Sequence, residues 1–254
     1  MRRFGLVVVA GVAVVLLAST AVGADKPRRF PTSFPGGCAR ADFQSRGRTV
    51  RAEQCDAGPG SPAAVVLYGC GGFSAFAQRL AVDLAEQGIT TLEVDYFWLT
   101  PPPRNRGFCN EPAAFGRAFP VWIRVVDDAA RSLRLDHSRV GVVGWSLGGG
   151  VALAAAESKP ANGRRPFDAV AAFSTGDLGG FPAALRLLPP TLLLSGGPHD
   201  AIPARDTRSL FDVLRKDGVV SQLYVYGDGT HQWPGAQGTA GIRRASAFLR
   251  RYLR

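Results

Sequence analysis

From residue 63 to the C-terminus, short apolar runs alternate with stretches in which apolar residues recur at helical spacing. Residues 63–68 (AAVVLY), 89–94, 139–144 (RVGVVG), 168–173 (DAVAAF), 190–194 and 222–226 (QLYVY) read as buried strands. Between them, 76–87, 122–133, 147–157, 206–216 and 239–253 read as helices. The 122–133 stretch has apolar residues at 122, 123, 125, 126, 129, 130 and 133, which form one stripe on a helix. Residues 25–48 are rich in Pro, Gly and Arg and are expected to be an irregular entry segment; 100–110 (TPPPRNRGFCN) is expected to be a loop.

Strand–helix alternation of this kind predicts an α/β domain over 49–254, a mostly parallel, doubly wound sheet flanked by helices. Ligands of such sheets sit beyond the carboxyl ends of the strands, so the loops after strands are where chemistry belongs. A length of 254 residues fits one such domain plus a leader, with no internal repeat and no second domain.

Gly144-Trp145-Ser146-Leu147-Gly148 stands between an expected strand and an expected helix, followed by Gly149 and Gly150. A strand that turns at once into a helix forces unusual dihedrals on its central residue. Glycines two before and two after relieve the crowding and leave the serine hydroxyl at the tip of the sheet. Ser146 is therefore the candidate nucleophile.

A serine needs a base, and the chain has 3 histidines. His137 precedes the strand leading to Ser146 and belongs at the opposite end of the sheet. His231 follows the last strand and is the candidate base. His199 lies on the loop after 190–194, beside Asp200. Asp200 is the preferred acid, giving the chain order Ser, acid, His; Asp177 and Asp228 are rivals, read more simply as solvated loop carboxylates. The expected oxyanion donors are the backbone N–H groups of Leu147, directly after the nucleophile, and of Cys70, in the glycine-rich loop Tyr68-Gly69-Cys70-Gly71-Gly72. Phe73, Tyr96, Phe97, Trp98, Trp145 and Trp233 are candidate pocket walls, with the core as their alternative place.

The N-terminus changes the picture of where this chemistry would happen. Arg2 and Arg3 precede an apolar stretch over 4–18 and then small residues through Ala24. This is the pattern of a signal peptide over 1–24, with cleavage after Gly23 or Ala24 both fitting. An uncleaved anchor is the alternative, because 4–24 is about the length of a membrane span. Export makes two disulfides the expectation for Cys38, Cys55, Cys70 and Cys109, paired 38–55 and 70–109 out of three possible pairings. Metal binding is disfavoured: no CxxC occurs and the histidines are scattered. The formal charge of +10 comes from 27 arginines against 3 lysines. These arginines are dispersed, without aromatic interleaving or a recognition-helix pattern, so nucleic-acid binding is not expected.

LYGCGGF, VDYF, GWSLGGG, GGPHDAIP and GTHQW occur in the order and spacing of the dienelactone hydrolases, and over about 60–254 the chain resembles that family. The resemblance implies the α/β-hydrolase fold with an eight-strand-type sheet, carboxylic-ester hydrolysis and no cofactor. It matches Ser146, Asp200 and His231 to the family's triad, and Cys70 and Leu147 to its oxyanion positions. Three departures stand out. Serine replaces the cysteine nucleophile of dienelactone hydrolases proper. Tyr68 replaces a histidine. Tyr96-Phe97-Trp98-Leu99 stand where an arginine for the substrate carboxylate is expected, with Arg104 and Arg106 further along the loop. An ester substrate is thus expected, with dienelactone itself disfavoured. A peptidase or acyltransferase on the same triad, and a non-catalytic binding module on the same fold, are the alternatives.

Overall fold

The computed structural model describes residues 37–100, 108, 112–158, 165–176 and 185–254. The leader over 1–24, residues 25–36, Arg104, Arg106, Cys109 and Asp177 lie outside the described residues.

The core is an eight-stranded sheet. Its strands are β1 (Cys38–Arg40), β4 (Ala52–Cys55), β5 (Ala63–Leu67), β6 (Thr90–Val94), β7 (Val140–Trp145), β8 (Ala169–Phe173), β9 (Thr191–Ser195) and β10 (Ser221–Val225). They lie in the order β1-β4-β6-β5-β7-β8-β9-β10. From β6 to β10 all neighbours run parallel, whereas β1 and β4 are added antiparallel at one edge. The central strands β5 to β9 are buried along their whole length, as expected of strands covered on both faces.

Among the described residues five helices cover the sheet: α1 (Ala75–Glu86), α2 (Pro112–Leu133), α3 (Leu147–Glu157), α4 (Ala204–Lys216) and α5 (Gly235–Tyr252). Side chains alternate along each strand and divide the core in two. Val65 and Leu67 pack with Trp122, Val126, Val151 and Leu214 on the side of α2, α3 and α4. Ala64 and Val66 pack with Leu80, Leu84, Ile242 and Leu249 on the side of α1 and α5. Helix α3 is buried at every position, and its run of Gly and Ala lets it sit against the sheet.

The structure departs from the sequence expectation in two places. The stretch read as irregular contributes strand β1 and a hairpin, β2 (Phe43–Ser45) with β3 (Arg48–Val50). The hairpin turns through Arg46 and Gly47 at φ 53° and 72°, the pair of positive values that a two-residue turn matched to strand twist requires. Strand β1 pairs with β4, with Cys38 opposite Cys55, and these two cysteines form a disulfide. Cys70 is disulfide-bonded as well. Second, α2 begins ten residues before the expected stripe, with Pro112 as its first residue and Pro120 inside it. A proline at the first helical position gives up an N–H that has no partner there anyway; Pro120 lies on a helix held against the core by Trp122, whose ring packs on Tyr96, Phe97 and Phe108. Among the described residues no helix is long and apolar enough to cross a membrane.

Candidate active site

The carboxyl ends of β5, β7, β8, β9 and β10 each deliver a loop to one rim of the sheet. Strand β7 runs into α3 through Ser146, whose φ of 57° and ψ of −122° lie where L-residues seldom go. The flanking glycines are required by space. A Cβ on Gly144 would fall 2.1 Å from Gly148 O, and one on Gly148 would fall 2.4 Å from Tyr68 O. Ser146 stands at the N-cap of α3 without capping it through its side chain, so the hydroxyl is available elsewhere.

Ser146 Oγ lies 3.0 Å from His231 Nε2. His231 Nδ1 lies 2.6 Å from Asp200 Oδ1. Three residues from the loops after β7, β9 and β10 are thus joined in one line. The two loops that carry Asp200 and His231 are tied by a parallel bridge between His199 and Thr230. Gln237 pins Thr230 from both sides, accepting from its N–H at 3.0 Å and donating to its carbonyl at 3.1 Å. Trp145 Nε1 donates to the carbonyl of His231 at 2.8 Å, so the residue before the nucleophile also holds the loop that carries the imidazole.

The Asp200 side chain is fully buried. Burial pushes its carboxyl up, but hydrogen bonds from His231 and Ser174, the nearby His231 charge and the Ile202 N–H outweigh it, so the group stays below the ordinary carboxylate value. Oδ1 accepts from Ile202 N at 3.0 Å, and Oδ2 accepts from Gly196 N at 2.7 Å and from the Ser174 hydroxyl. A buried carboxylate with this many donors remains ionised.

The loop after β5 abuts the nucleophile: a Cβ on Gly69 would sit 3.2 Å from Ser146 Cβ and 2.9 Å from the Trp145 ring. Cys70 follows Gly69 and Leu147 follows Ser146, so the two residues expected to supply oxyanion donors adjoin this contact between the loops. The sulfur of Cys70 is in a disulfide, which leaves its backbone as its contribution here.

Other candidates fall elsewhere. His137 Nδ1 donates to Ser61 O at 2.8 Å, at the far end of the sheet. His199 and Asp228 are exposed. Tyr96 and Phe97 are buried at 0% and 5% exposure, in a ring cluster with Tyr68, Phe108 and Trp122. They are core rather than an open wall, and the Tyr96 hydroxyl donates to Tyr68 O at 2.7 Å. Trp233 is also core, packed on Phe76, Phe173 and Tyr226. Trp98 is half-exposed, with the Arg51 guanidinium 4.0 Å above its ring. Phe73 is half-buried against the α2 side of the core, and Trp145 lies 5.2 Å from the His231 ring, centre to centre. Among the described residues the one grouping of three potential metal ligands is Cys38, Glu53 and Cys55, and its two sulfurs are joined to each other.

Sequence reasoning did not find Ser174. The available signal was a polar residue directly after a buried strand, at the rim where ligands bind.

No protein-family model and no curated protein sequence matches the chain. Solved structures do. A dienelactone hydrolase from Anabaena variabilis superposes with a TM-score of 0.67 at 21% identity, covering 85% of this chain and 98% of that one. The fold is that of the α/β-hydrolases. A dienelactone hydrolase-like promiscuous phosphotriesterase from metagenomic libraries gives a TM-score of 0.69 at 17% identity, over 85% of this chain and 98% of that one. An esterase from Pyrobaculum calidifontis gives 0.65 at 17% identity, over 91% and 88%. On this α/β-hydrolase scaffold the Ser146 turn, the Asp200 loop and the His231 loop all emerge at the carboxyl rim of the parallel strands.

Proposed function

We propose that the protein is a serine-dependent carboxylic-ester hydrolase of the dienelactone-hydrolase type. The observation that carries this reading is the continuous line from Ser146 Oγ through His231 to Asp200, at 3.0 and 2.6 Å. Structures named as dienelactone hydrolases and esterases share the scaffold, and this supports the reaction class.

The reaction runs in two halves. His231 Nε2 takes the Ser146 proton as Oγ attacks the ester carbonyl. The N–H groups of Cys70 and Leu147 receive the negative charge that develops on the carbonyl oxygen, and each such donor is worth roughly 10²–10³ in rate. The C–O bond to the alcohol breaks, and the alcohol leaves with the proton from His231. A water, deprotonated by the same imidazole, then attacks the acyl-serine and releases the acid. Asp200 holds the Nδ1–H tautomer and stabilises the imidazolium throughout.

We further propose that the protein is exported. Disulfide-bonded Cys38, Cys55 and Cys70 support an oxidising compartment; a leader removed near Gly23 or Ala24 would deliver the protein there.

The test is a fluorophosphonate probe together with a panel of esters differing in acyl length. Wild type is expected to take the label and hydrolyse members of the panel. Ser146→Ala is expected to do neither, with kcat lower by about 10⁴–10⁶-fold. Absence of labelling in folded wild type would leave a binding module on this fold. Acyl transfer to added alcohol or amine in preference to water would make the protein an acyltransferase.

A further inference from the structure

The network behind Asp200 reaches one layer deeper than a three-residue line needs. Ser174, directly after β8, is fully buried and donates its hydroxyl proton to Asp200 Oδ2. Ser174 Oγ in turn accepts from Trp233 Nε1 at 2.8 Å. An indole N–H can only donate and a serine hydroxyl has one proton. The indole therefore fixes which way the Ser174 proton points, and that way is toward the carboxylate. The Ser174 backbone is itself held, its N–H donating to Leu194 O at 2.7 Å.

The main chain agrees. Among the described residues four non-glycines have positive φ, and three of them are Ser146, Ser174 and Trp233, at 57°, 45° and 51°. Uncommon backbone conformations of this kind persist where the surroundings enforce them, and they gather at functional sites. Packing of a large ring does not by itself require the Nε1–Oγ contact.

We propose that Trp233 and Ser174 form a fixed donor chain that sets the basicity of Asp200, and through it the pH at which His231 becomes a competent base. The proposal rests on the hydrolase reading above for its kinetic consequence only. Trp233 and Ser174 are positioning residues and touch no substrate. Donors stacked in series strengthen one another, so the carboxylate shares its charge with Ser174 and draws the imidazolium proton less. Other charged groups on the elements packed around this site are His199 beside Asp200, Asp228 on the His231 loop, Arg205 and Asp206 at the start of α4, and Arg79 with Asp83 on α1. Arg205 pairs with Asp206, Arg79 pairs with Asp83, and the ion-pair partner of Asp200 is His231.

The experiment uses Ser174→Gly, which removes the hydroxyl and tolerates the positive φ, and Trp233→Phe, which keeps an aromatic ring against Phe76 and Phe173. The acidic limb of kcat/KM is expected to move to higher pH by about half a unit to one unit in Ser174→Gly, and by less in Trp233→Phe. Activity at neutral pH should fall about 3–10-fold in Ser174→Gly, part of the value of a hydrogen bond to a charged group. The same shift is read without turnover by titrating the His231 ring resonances by NMR in a Ser146→Ala background. Upward shifts in both variants, larger for Ser174→Gly, support the chain. An unchanged or lowered His231 midpoint in folded Ser174→Gly overturns it; should that variant not fold, an unchanged midpoint in Trp233→Phe does so. If wild type hydrolyses no ester, the hydrolase reading fails while the NMR titration still decides the donor chain.

Discussion

Two buried carboxylates in this molecule have opposite fates. Asp200, at the rim, is surrounded by donors: His231, Ser174, Gly196 N and Ile202 N. Its carboxyl titrates below the ordinary value. Glu93, on β6, is equally buried, and neither of its carboxyl oxygens has a hydrogen-bond partner among the described residues. Directly across the ladder from it lies Glu53 on β4, buried too, with Oε2 unpartnered. Burial pushes Glu93 well up, and the neighbouring Glu53 and Asp95 push it further. Burial raises Glu53 to about 7. Burial alone thus does not decide whether a carboxyl carries charge; the donors around it do. At the rim the donors keep Asp200 on the charged side, whereas across β4–β6 the lack of donors holds Glu93 toward its neutral form and lets Glu53 titrate only at about 7.

The largest effect that could break this contrast is expected from Asp200→Asn. The amide keeps the shape and removes the charge that holds the imidazole tautomer, and kcat on an ester substrate should fall by about 10⁴-fold. A loss of only a few-fold would mean that Asp200 is a structural carboxylate like the others.

Glu93→Gln is expected to do the reverse: leave kcat unchanged and alter stability with pH. A carboxyl whose folded value is raised contributes stability that is fully present below its unfolded value and is lost as pH rises through the folded value. For Glu53 that window opens above 4.5 and extends through about 7; for Glu93 it reaches higher. The glutamine variant should therefore match wild type near pH 4 and unfold about 3–6 °C higher near pH 9, as a thermal melt at the two pH values would show. Equal melting points at both would mean that the pair is not neutral in the native protein. Glu53→Gln should give the same sign over a lower pH range, with its gain already complete near pH 8. Asp200 works the opposite way: its contribution is present above the ordinary carboxylate value and is lost as pH falls below it.

The smallest effect is expected from Trp145→Phe, which removes one N–H to the carbonyl of His231 and keeps a ring beside the imidazole. A net neutral hydrogen bond is worth about 1 kcal/mol, so kcat/KM should fall no more than about 5-fold. A loss approaching that of Asp200→Asn would mean that the His231 loop depends on this tether for its position.

Much of the fold was legible because its causes are local. Continuous apolar runs such as 63–67 and 192–194 have few ways to be buried other than as inner strands. The glycines at 144 and 148 mark a turn that no other residue could fill without striking Gly148 O or Tyr68 O. The hairpin over 43–50 was missed because it is short and its arginines hid the alternation of buried and exposed residues. The start of α2 was missed because Pro120 reads as a helix breaker. Tyr96, Phe97 and Trp233 were offered as pocket walls because a sequence shows that a residue is aromatic and near a strand end, and does not show which rings face it.

The linear chain by itself determined the turn that presents Ser146, the strand–helix alternation and the order in which Ser146, Asp200 and His231 occur, since these follow from side-chain size, periodicity and backbone freedom over a few residues. Only the tertiary structure decided which buried carboxyl keeps its charge and that the Trp233 indole reaches Ser174, 59 positions away. The reason is that a buried group's ionisation and a hydroxyl's orientation depend on what surrounds them in space, and those neighbours arrive from separate strands once the sheet has formed.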